Sequence, residues 1–383
     1  ALMIVKKKLD VEKFLSKIYA EVYAIDLHWL VHAHGALEVA KLVKSLHDRP
    51  VVLGGLSATY YWHEVMDKCP YVDYVLLGDT TELPMEVFLD KMSRGGDLGE
   101  VPNLVYRANG SVKTTGLSFI PDNLDKYIVD YDWLFSRYSK RSLVLACLPW
   151  GDFLRRPIGA VISFKGCTYN CAFCGGSRYA YERFYGRRRL GVKSPEAIIR
   201  EVRGILENVK IPVFFVGDLR LLGKRSREVL RLLREEGVDG EFMFEFFRPA
   251  GREFLEELCK AAPDAIIQIS PDSPHEDIRK LAGRPYGNAE LRSFIRNVVS
   301  MGFKRLDLYF MIGLNGQRRG EGEDIVRLVD SLTEGLDVKG RLAVFAAPLA
   351  PFLDPGSIAF ENSPDSGYRL YARHLYEHRD LLL

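Results

Sequence analysis

Short apolar runs alternate with longer amphipathic stretches in the first 95 residues of the chain. The runs with the length of buried strands are Val22–Ile25, Val51–Leu53 and Tyr74–Leu77, and the helix-like stretches between and after them are Ala36–Leu46 and Leu83–Met92. Short buried strands that alternate with helices are typical of a parallel α/β sheet. We therefore predict a first α/β domain over residues 1–95.

The same alternation resumes near residue 156 and continues to residue 361. The predicted strands are Ile158–Phe164, Pro212–Val216, Phe242–Phe247, Ala265–Ile269, Leu306–Ile312 and Leu342–Ala347. Successive strand–helix units predict an open, partial (β/α)6 barrel of the TIM type, whose functional site is built from loops at the carboxyl ends of the strands. Residues 96–155 are predicted to be a linker and residues 362–383 a C-terminal helix.

Composition sets broad limits on function. With 383 residues, 47% hydrophobic and 27% charged, the chain has the make-up of an ordinary globular protein. Its net charge of +2 argues against a nucleic-acid partner, and no apolar run has the length of a transmembrane segment. Three of the six cysteines, Cys69, Cys147 and Cys259, are isolated along the sequence. They form no disulfide framework, so we expect a cytoplasmic location.

The other three cysteines follow the first strand of the second domain. Cys167, Cys171 and Cys174 have the spacing C-x3-C-x2-C. Clustered thiolates hold iron–sulfur clusters, and three of them leave one iron of a [4Fe–4S] cube open for a small molecule. Phe173 would shield the cluster, and Gly175 would let the backbone approach it closely. Structural zinc is the alternative, but zinc normally takes four ligands and no second C-x2-C pair is present.

Candidate binding residues also follow the strands of the first domain. In parallel α/β sheets, ligands bind at the carboxyl ends of the strands. The residues at these positions are Asp26, Leu27 and His28 after the first strand, Gly54, Gly55, Leu56 and Ser57 after the second, and Gly78 and Asp79 after the third.

The cysteine segment resembles the radical S-adenosylmethionine (SAM) superfamily, whose signature is C-x3-C-x-aromatic-C. Cys167, Cys171 and Cys174 match its cysteines, and Phe173 matches its aromatic position. The resemblance implies that SAM chelates the open iron of a [4Fe–4S] cluster. It also implies that an external one-electron reductant, a flavodoxin or ferredoxin, drives cleavage of SAM to methionine and a 5′-deoxyadenosyl radical.

The strand ends of the second domain resemble SAM-binding positions of that superfamily. Gly217 and Asp218 stand where the family has a Gly-Gly-Glu motif that binds the SAM amino group. Ser270 and Asp272 match the strand end that contacts the ribose and the methionine carboxylate, and Gly313 matches the strand that packs against the adenine edge. The alternative for each is an ordinary turn residue or helix N-cap.

The segment Val51–Glu82 resembles the flavodoxin-like, Rossmann-type cobalamin-binding domain that precedes many radical SAM cores. In that family, two loops one βα unit apart hold the nucleotide tail of the corrin, and Asp26–His28 and Gly54–Gly55 match them in order. The first strand of that domain, which carries a cobalt-ligand loop in some relatives, is absent from this sequence. Whether His28, His32 or His34 contacts cobalt therefore stays open.

Two groups of polar residues have simpler interpretations. Arg187–Arg189 is predicted to be a solvated turn, although it also suits an anion. His374 and His378 have helical spacing but lack the Glu of a metalloprotease motif, which favours a solvated helix face.

These resemblances imply a cobalamin-dependent radical SAM enzyme that methylates an unactivated carbon of a small-molecule or lipid-like substrate. One alternative is a non-methylating enzyme of the same architecture, such as a cyclase or an enzyme that forms carbon–carbon bonds on a lipid or pigment. A second alternative is an electron-transfer or cobalamin-carrying protein without radical chemistry. A fourth cysteine near the motif would favour that protein, and the sequence has none there.

Overall fold

The computed structural model describes residues 10–140, 155–349 and 353–382. The described chain divides into two compact units, each with a sheet of its own. The five-strand unit comprises residues 10–122, 166–191 and 353–382. The six-strand unit comprises residues 123–140, 155–165 and 192–349. Cys147 and the first residues of the chain lie outside the described ranges.

Regular elements occupy most of the described chain. The strands are β1 (Tyr23–Asp26), β2 (Val51–Gly54), β3 (Tyr74–Leu76), β4 (Leu104–Ala108), β5 (Ser111–Thr114), β6 (Gly159–Ile162), β7 (Phe164–Lys165), β8 (Gly191–Val192), β9 (Val213–Asp218), β10 (Phe242–Phe246), β11 (Ile266–Asp272), β12 (Arg305–Ile312) and β13 (Leu342–Pro348). The helices are α1 (Val11–Leu15), α2 (Ala33–His47), α3 (Leu56–Tyr60), α4 (Trp62–Lys68), α5 (Glu82–Arg94), α6 (Tyr131–Lys140), α7 (Arg178–Phe184), α8 (Pro195–Val209), α9 (Lys224–Glu235), α10 (Arg252–Ala261), α11 (Glu276–Leu281), α12 (Asn288–Ser300), α13 (Glu321–Thr333), α14 (Ile358–Glu361) and α15 (Leu375–Leu381). Within the described ranges, no helix combines the length and the apolar character needed to cross a bilayer.

The five-strand unit is built on the sheet β1-β2-β3-β4-β5. The strands β1, β2 and β3 are parallel, whereas β4 and β5 form an antiparallel hairpin beside β3. Leu53 and Val75 are fully buried in this sheet, and Leu37 of α2 belongs to the same apolar core. The hairpin lies within residues 96–155, the segment that the sequence predicts to be a linker, so part of that segment extends the first sheet.

The six-strand unit contains a sheet with the order β13-β12-β11-β10-β9-β6, in which every neighbouring pair is parallel. Helices follow most of these strands, and their apolar faces are buried. Helix α8, for example, begins after the N-cap Ser194 with Pro195 in its first turn, and it buries Ile198 and Val202. The prediction of an α/β protein with parallel sheets is confirmed.

The C-terminal helix is shorter and more buried than the sequence predicts. Helix α15 begins at Leu375, after the N-cap His374, and packs against α2. The Glu64 carboxylate contacts the His374 ring at 2.9 Å and accepts the Leu375 N–H at 2.9 Å, which fixes the start of the helix. The expectation of a solvated face is wrong for His378, whose ring is fully buried beside Tyr61.

A buried ion pair joins the loop after β3 to the loop after α7 within the five-strand unit. The guanidinium of Arg187 donates two hydrogen bonds to Asp79, at 2.5 Å and 2.9 Å, and a third to the Pro121 carbonyl at 3.0 Å. The two side chains are 1% and 5% exposed. The prediction of a solvated turn is therefore wrong for Arg187, although Arg188 and Arg189 are exposed. A planar guanidinium fork matches the two oxygens of one carboxylate, so this arginine folds inward.

Removing Arg187 should destabilise the protein. The substitution Arg187→Ala leaves the Asp79 carboxylate buried without its cation, which typically costs about 3–5 kcal/mol. The matched control is Arg188→Ala at the exposed neighbouring position, and it should change the free energy of unfolding by no more than about 0.5 kcal/mol. Urea titration of the apoprotein measures both. Equal stability of the two variants would show that the pair contributes nothing to folding.

Candidate functional site

The cysteine segment folds as a compact loop ahead of α7. The Cys174 N–H donates to the Cys171 carbonyl at 3.2 Å, and the Arg178 N–H donates to the Tyr169 carbonyl at 2.8 Å. Ser177 ends the loop as the N-cap of α7, where its hydroxyl accepts the Ala180 N–H. These backbone hydrogen bonds bring residues at both ends of the motif together.

The three thiols fit the donor set of an iron–sulfur cluster. Backbone N–H groups point at two of the sulfur atoms, from Tyr169 to Cys167 at 3.4 Å and from Gly176 to Cys174 at 3.3 Å. Burial, together with the nearby Asp354 carboxyl and the other two thiols, raises the pKa of the Cys174 thiol to about 12. Such a thiol becomes a thiolate when a metal centre replaces its proton. None of the five described cysteines is in a disulfide.

Asp354 anchors the cysteine loop from a distant part of the sequence. Its carboxylate accepts the Gly175 N–H at 3.2 Å, and the Ala359 N–H donates to the Ala172 carbonyl at 2.8 Å. A Cβ at Gly175 would lie 2.9 Å from both the Asp354 Cβ and the Pro355 carbonyl oxygen. The close backbone approach at Gly175 is therefore to this segment of the protein. The cysteine motif gives no indication of Asp354, because Asp354 lies 179 positions after Gly175.

The strand-end loops of the five-strand unit meet at one edge of the sheet, as the sequence predicts. Asp26 is exposed at the end of β1, and Leu27 is buried behind it. Ser57 donates to the His28 carbonyl through its N–H at 3.1 Å and its hydroxyl at 2.9 Å. Gly55 has φ 107°, and a Cβ there would lie 2.6 Å from the His28 backbone, so only glycine fits.

An open space lies beside this edge at Gly54. A Cβ built at Gly54 meets no atom within 4 Å, in contrast to the crowded Gly55. The Thr59 hydroxyl donates to the Gly55 carbonyl and accepts the Gly78 N–H, both at 2.9 Å, which ties the second and third loops together. Leu56 faces the other way and packs with Ala180 and Tyr185 at the end of α7. The edge is therefore hydrogen-bonded backbone, and a side chain at Gly54 would meet no protein atom within 4 Å.

Two acids lie at neighbouring strand ends in the six-strand unit. The Asp218 carboxylate is fully buried and accepts the Phe247 N–H at 3.0 Å and the Arg220 guanidinium at 2.7 Å and 2.9 Å. It also accepts the Arg220 N–H, which is the N-cap role that the sequence left as an alternative. The second acid, Glu245 at the end of β10, accepts the Gly217 N–H at 3.1 Å.

Glu245 is a candidate that the sequence interpretation missed. Burial raises the pKa of its carboxyl, an effect that the Gly217 N–H partly offsets. The available signal was a single acid inside the otherwise apolar strand Phe242–Phe246. Unlike Asp218, whose two oxygens both accept protein donors, Glu245 is half-buried. It is therefore the better placed of the two acids to contact a bound cation or ammonium group.

The remaining predicted SAM positions follow β11 and β12. Asp272 has φ 67° and accepts the Arg284 Nε–H at 2.9 Å, and burial raises the pKa of its carboxyl despite that arginine. The Ser270 carbonyl accepts the Tyr286 hydroxyl at 3.2 Å. Gly313, with φ 102°, donates its N–H to the Gln317 side chain at 2.7 Å. These residues lie where the sequence predicts them, at the carboxyl ends of parallel strands.

The class of protein follows from the cysteine loop and a family comparison. Residues 161–329, which include the three cysteines, match the family model described as the radical SAM superfamily. The chain therefore contains a radical SAM domain, and the superfamily predicted from the motif is confirmed for that segment. The cofactors of this superfamily are a [4Fe–4S] cluster and SAM. The three thiols provide the protein ligands of the cluster.

Similar proteins align with residues beyond the matched segment. An uncharacterised methyltransferase of Pyrococcus horikoshii is 24% identical over 84% of this chain and 67% of its own length. An anaerobic magnesium-protoporphyrin IX monomethyl ester cyclase of Cereibacter sphaeroides is 22% identical over 44% of this chain. The chain spans only 25% of that cyclase.

A solved structure shares the fold. It is the radical SAM methyltransferase TsrM from Kitasatospora setae, determined with cobalamin and a [4Fe–4S] cluster bound. The TM-score is 0.68 at 12% identity, over 92% of this chain and 66% of that one. The similarity therefore covers both the five-strand and the six-strand unit.

Asp354 should govern how firmly the loop holds its cluster. Asp354→Ala removes the acceptor of the Gly175 N–H, and we expect the reconstituted protein to lose iron to a chelator about tenfold faster. Asp354→Asn keeps an oxygen acceptor of the same shape and should restore most of the retention. The exposed Asp365→Ala is the control. Loss rates that match between the Asp354→Ala and Asp365→Ala variants would exclude an anchoring role.

Proposed function

We propose that this chain is a cobalamin-dependent radical SAM enzyme that methylates an unactivated carbon of a small molecule. The observation that carries the proposal is that two candidate cofactor-binding features occur in the same unit, the five-strand unit. That unit holds both the three-thiol loop and a sheet edge with open space at Gly54. A protein that served only one of the two cofactors would need only one of these features.

Cys167, Cys171 and Cys174 would hold the cluster, which, when bound with SAM, supplies a 5′-deoxyadenosyl radical. In the six-strand unit, the Glu245 carboxylate and the Asp218 region would receive the SAM ammonium group. The polar backbone at Ser270 and Asp272 would position the ribose and the methionine carboxylate. Gly313 has no side chain to obstruct the adenine edge. The finer architecture that goes with this proposal is a partial (β/α)6 barrel over residues 156–361.

The sheet edge of the five-strand unit would hold the nucleotide tail of cobalamin. The Asp26–His28 loop and the Gly54–Gly55 turn would lie beside the tail, and a glycine at position 54 leaves the turn without a side chain that could obstruct it. Ser57 would act indirectly, because its hydroxyl already donates to the His28 carbonyl. Asp79 would likewise position Gly78 through its pairing with Arg187. We propose a flavodoxin-like cobalamin-binding domain over residues 1–95 on this basis.

Methylation is favoured over cyclisation by the extent of similarity. The Pyrococcus horikoshii relative, which is named a methyltransferase, matches 84% of this chain, whereas the cyclase matches 44%. Cyclisation of a pigment or lipid stays the second candidate, because the Cereibacter sphaeroides relative is named a cyclase. Electron transfer without radical chemistry is disfavoured by the match to an enzyme superfamily. Either reaction needs a one-electron reductant of the flavodoxin or ferredoxin type and a reducing compartment such as the cytoplasm.

Two reciprocal variants test whether the cofactors use the predicted residues. Gly54→Phe fills the open space at the sheet edge, and we expect corrin retained after desalting to fall below about a tenth of the wild-type amount, with the iron content unchanged. Cys171→Ala should abolish the cluster and deoxyadenosine formation while corrin is retained. Visible spectra and iron analysis of anaerobically reconstituted protein measure both.

The control for added bulk is Gly35→Phe. Gly35 is an exposed glycine of α2 whose Cβ would also meet nothing within 4 Å. This variant should keep both cofactors. Full corrin retention by the Gly54→Phe variant would contradict the proposed cobalamin site, and deoxyadenosine formation by the Cys171→Ala variant would contradict the proposed cluster site.

A further inference from the structure

A cluster of metal-ligating side chains lies in the six-strand unit and takes no part in the site described above. It consists of His275, Glu321 and Asp324. His275 is the N-cap of α11, and the two acids are in the first turn of α13. The His275 Nε2 atom is 3.2 Å from an Asp324 oxygen and 3.6 Å from Glu321 Oε2, and the three donor atoms lie within 4.8 Å of one another.

Glu321 is the unusual member of this cluster. Its Oε1 atom accepts the Ser273 hydroxyl and the Gln317 amide, both at 2.9 Å. Its Oε2 atom has no hydrogen-bond partner within the described ranges, although the side chain is only 5% exposed. A buried carboxylate oxygen without a partner is costly, and a bound cation is one group that can satisfy it.

This oxygen faces an imidazole beyond hydrogen-bond distance, since His275 Nε2 lies 3.6 Å away. Arg327 pairs with Oδ1 of Asp324, and the Oδ2 atom faces His275. Acids in the first turn of a helix complement its dipole, which accounts for negative charge at this end of α13. The helix dipole does not explain why the Glu321 carboxylate is buried, or why its Oε2 atom lies near both the His275 imidazole and the Asp324 carboxylate.

We propose that His275, Glu321 and Asp324 form a binding site for a divalent first-row transition cation, through Nε2, Oε2 and Oδ2. One imidazole and two carboxylates are a donor set that such ions accept. Ligands about 2.0–2.2 Å from one ion are separated by about 3.3–3.6 Å in tetrahedral geometry, close to the distances from Nε2 to the two carboxylate oxygens. Ser273 and Gln317 would orient Glu321 through its other oxygen.

The ion would have open coordination positions and a link to the β12 loop. The His275 side chain is 41% exposed, so water or an oxygen of a small molecule can reach the ion from that side. Gln317 also accepts the N–H groups of Gly313 and Leu314, at 2.7 Å and 2.9 Å. Binding at Glu321 would therefore stiffen the loop at Gly313.

Titration with Mn²⁺ tests this site without reading any SAM chemistry. The protein is first reconstituted with its [4Fe–4S] cluster, so that the three thiols are occupied, and loss of the free Mn²⁺ signal is followed by electron paramagnetic resonance. We expect one Mn²⁺ per chain. His275→Ala, Glu321→Gln and Asp324→Asn should each weaken binding at least about tenfold, because even residues that only orient ligands have effects of that size.

The matched control is Glu323→Gln, which removes one negative charge from an exposed position in the same helical turn. It should bind Mn²⁺ as the wild type does. Absence of stoichiometric binding, or equal affinity in the Glu323→Gln and Glu321→Gln variants, would overturn the proposal. If Glu321→Gln fails to fold, the His275→Ala variant decides the question. The His275 side chain is partly exposed, so its removal disturbs the packing less than a change at the buried Glu321.

Discussion

The Arg187–Asp79 ion pair is the interaction on which the five-strand unit depends. It joins the loop after β3 to the loop after α7, and both side chains are almost completely buried. Two charges removed from water need near-ideal geometry, and the two-point contact between guanidinium and carboxylate provides it. A Cβ at Gly166 would lie 2.8 Å from the Arg187 side chain, so the backbone entering the cysteine segment is fitted closely around this arginine.

A second carboxylate holds the same segment at the cysteines themselves. Asp354 accepts the Gly175 N–H, directly after Cys174, while Arg187 lies beyond α7. Helix α7 between them packs through Ala180 and Tyr185 against Leu56, which follows the Gly54–Gly55 turn. The geometry of the three thiols and that of the proposed cobalamin edge are therefore set by one packed unit. A change at either contact is expected to affect both cofactors.

The sequence was most informative where chemistry or periodicity is local. Apolar runs located β2, β10 and β12 to within a residue or two, and the C-x3-C-x2-C spacing identified the superfamily that the family comparison confirms. The strand-end loops at His28, Gly55 and Gly78 were placed together correctly, because parallel strands end at one edge of a sheet.

What the sequence did not predict depends on long-range partners. Arg187 lies in a basic run typical of a solvated turn, and only Asp79, 108 positions earlier, explains its burial. His378 was assigned to a solvated face because the core that covers it comes from another part of the chain. Asp354 and Glu245 gained roles only when the fold brought them to Gly175 and Gly217.

A chain that combines radical SAM chemistry with cobalamin should retain both cofactors at once. The most direct measurement is anaerobic reconstitution with iron, sulfide and hydroxocobalamin, followed by desalting, a visible spectrum, iron analysis and a deoxyadenosine assay with SAM and a strong reductant. We expect about four iron atoms per chain, retained corrin bands and deoxyadenosine. A cluster that forms deoxyadenosine without retained corrin would contradict the cobalamin part of the account, and absence of deoxyadenosine from cluster-loaded protein would contradict its radical chemistry.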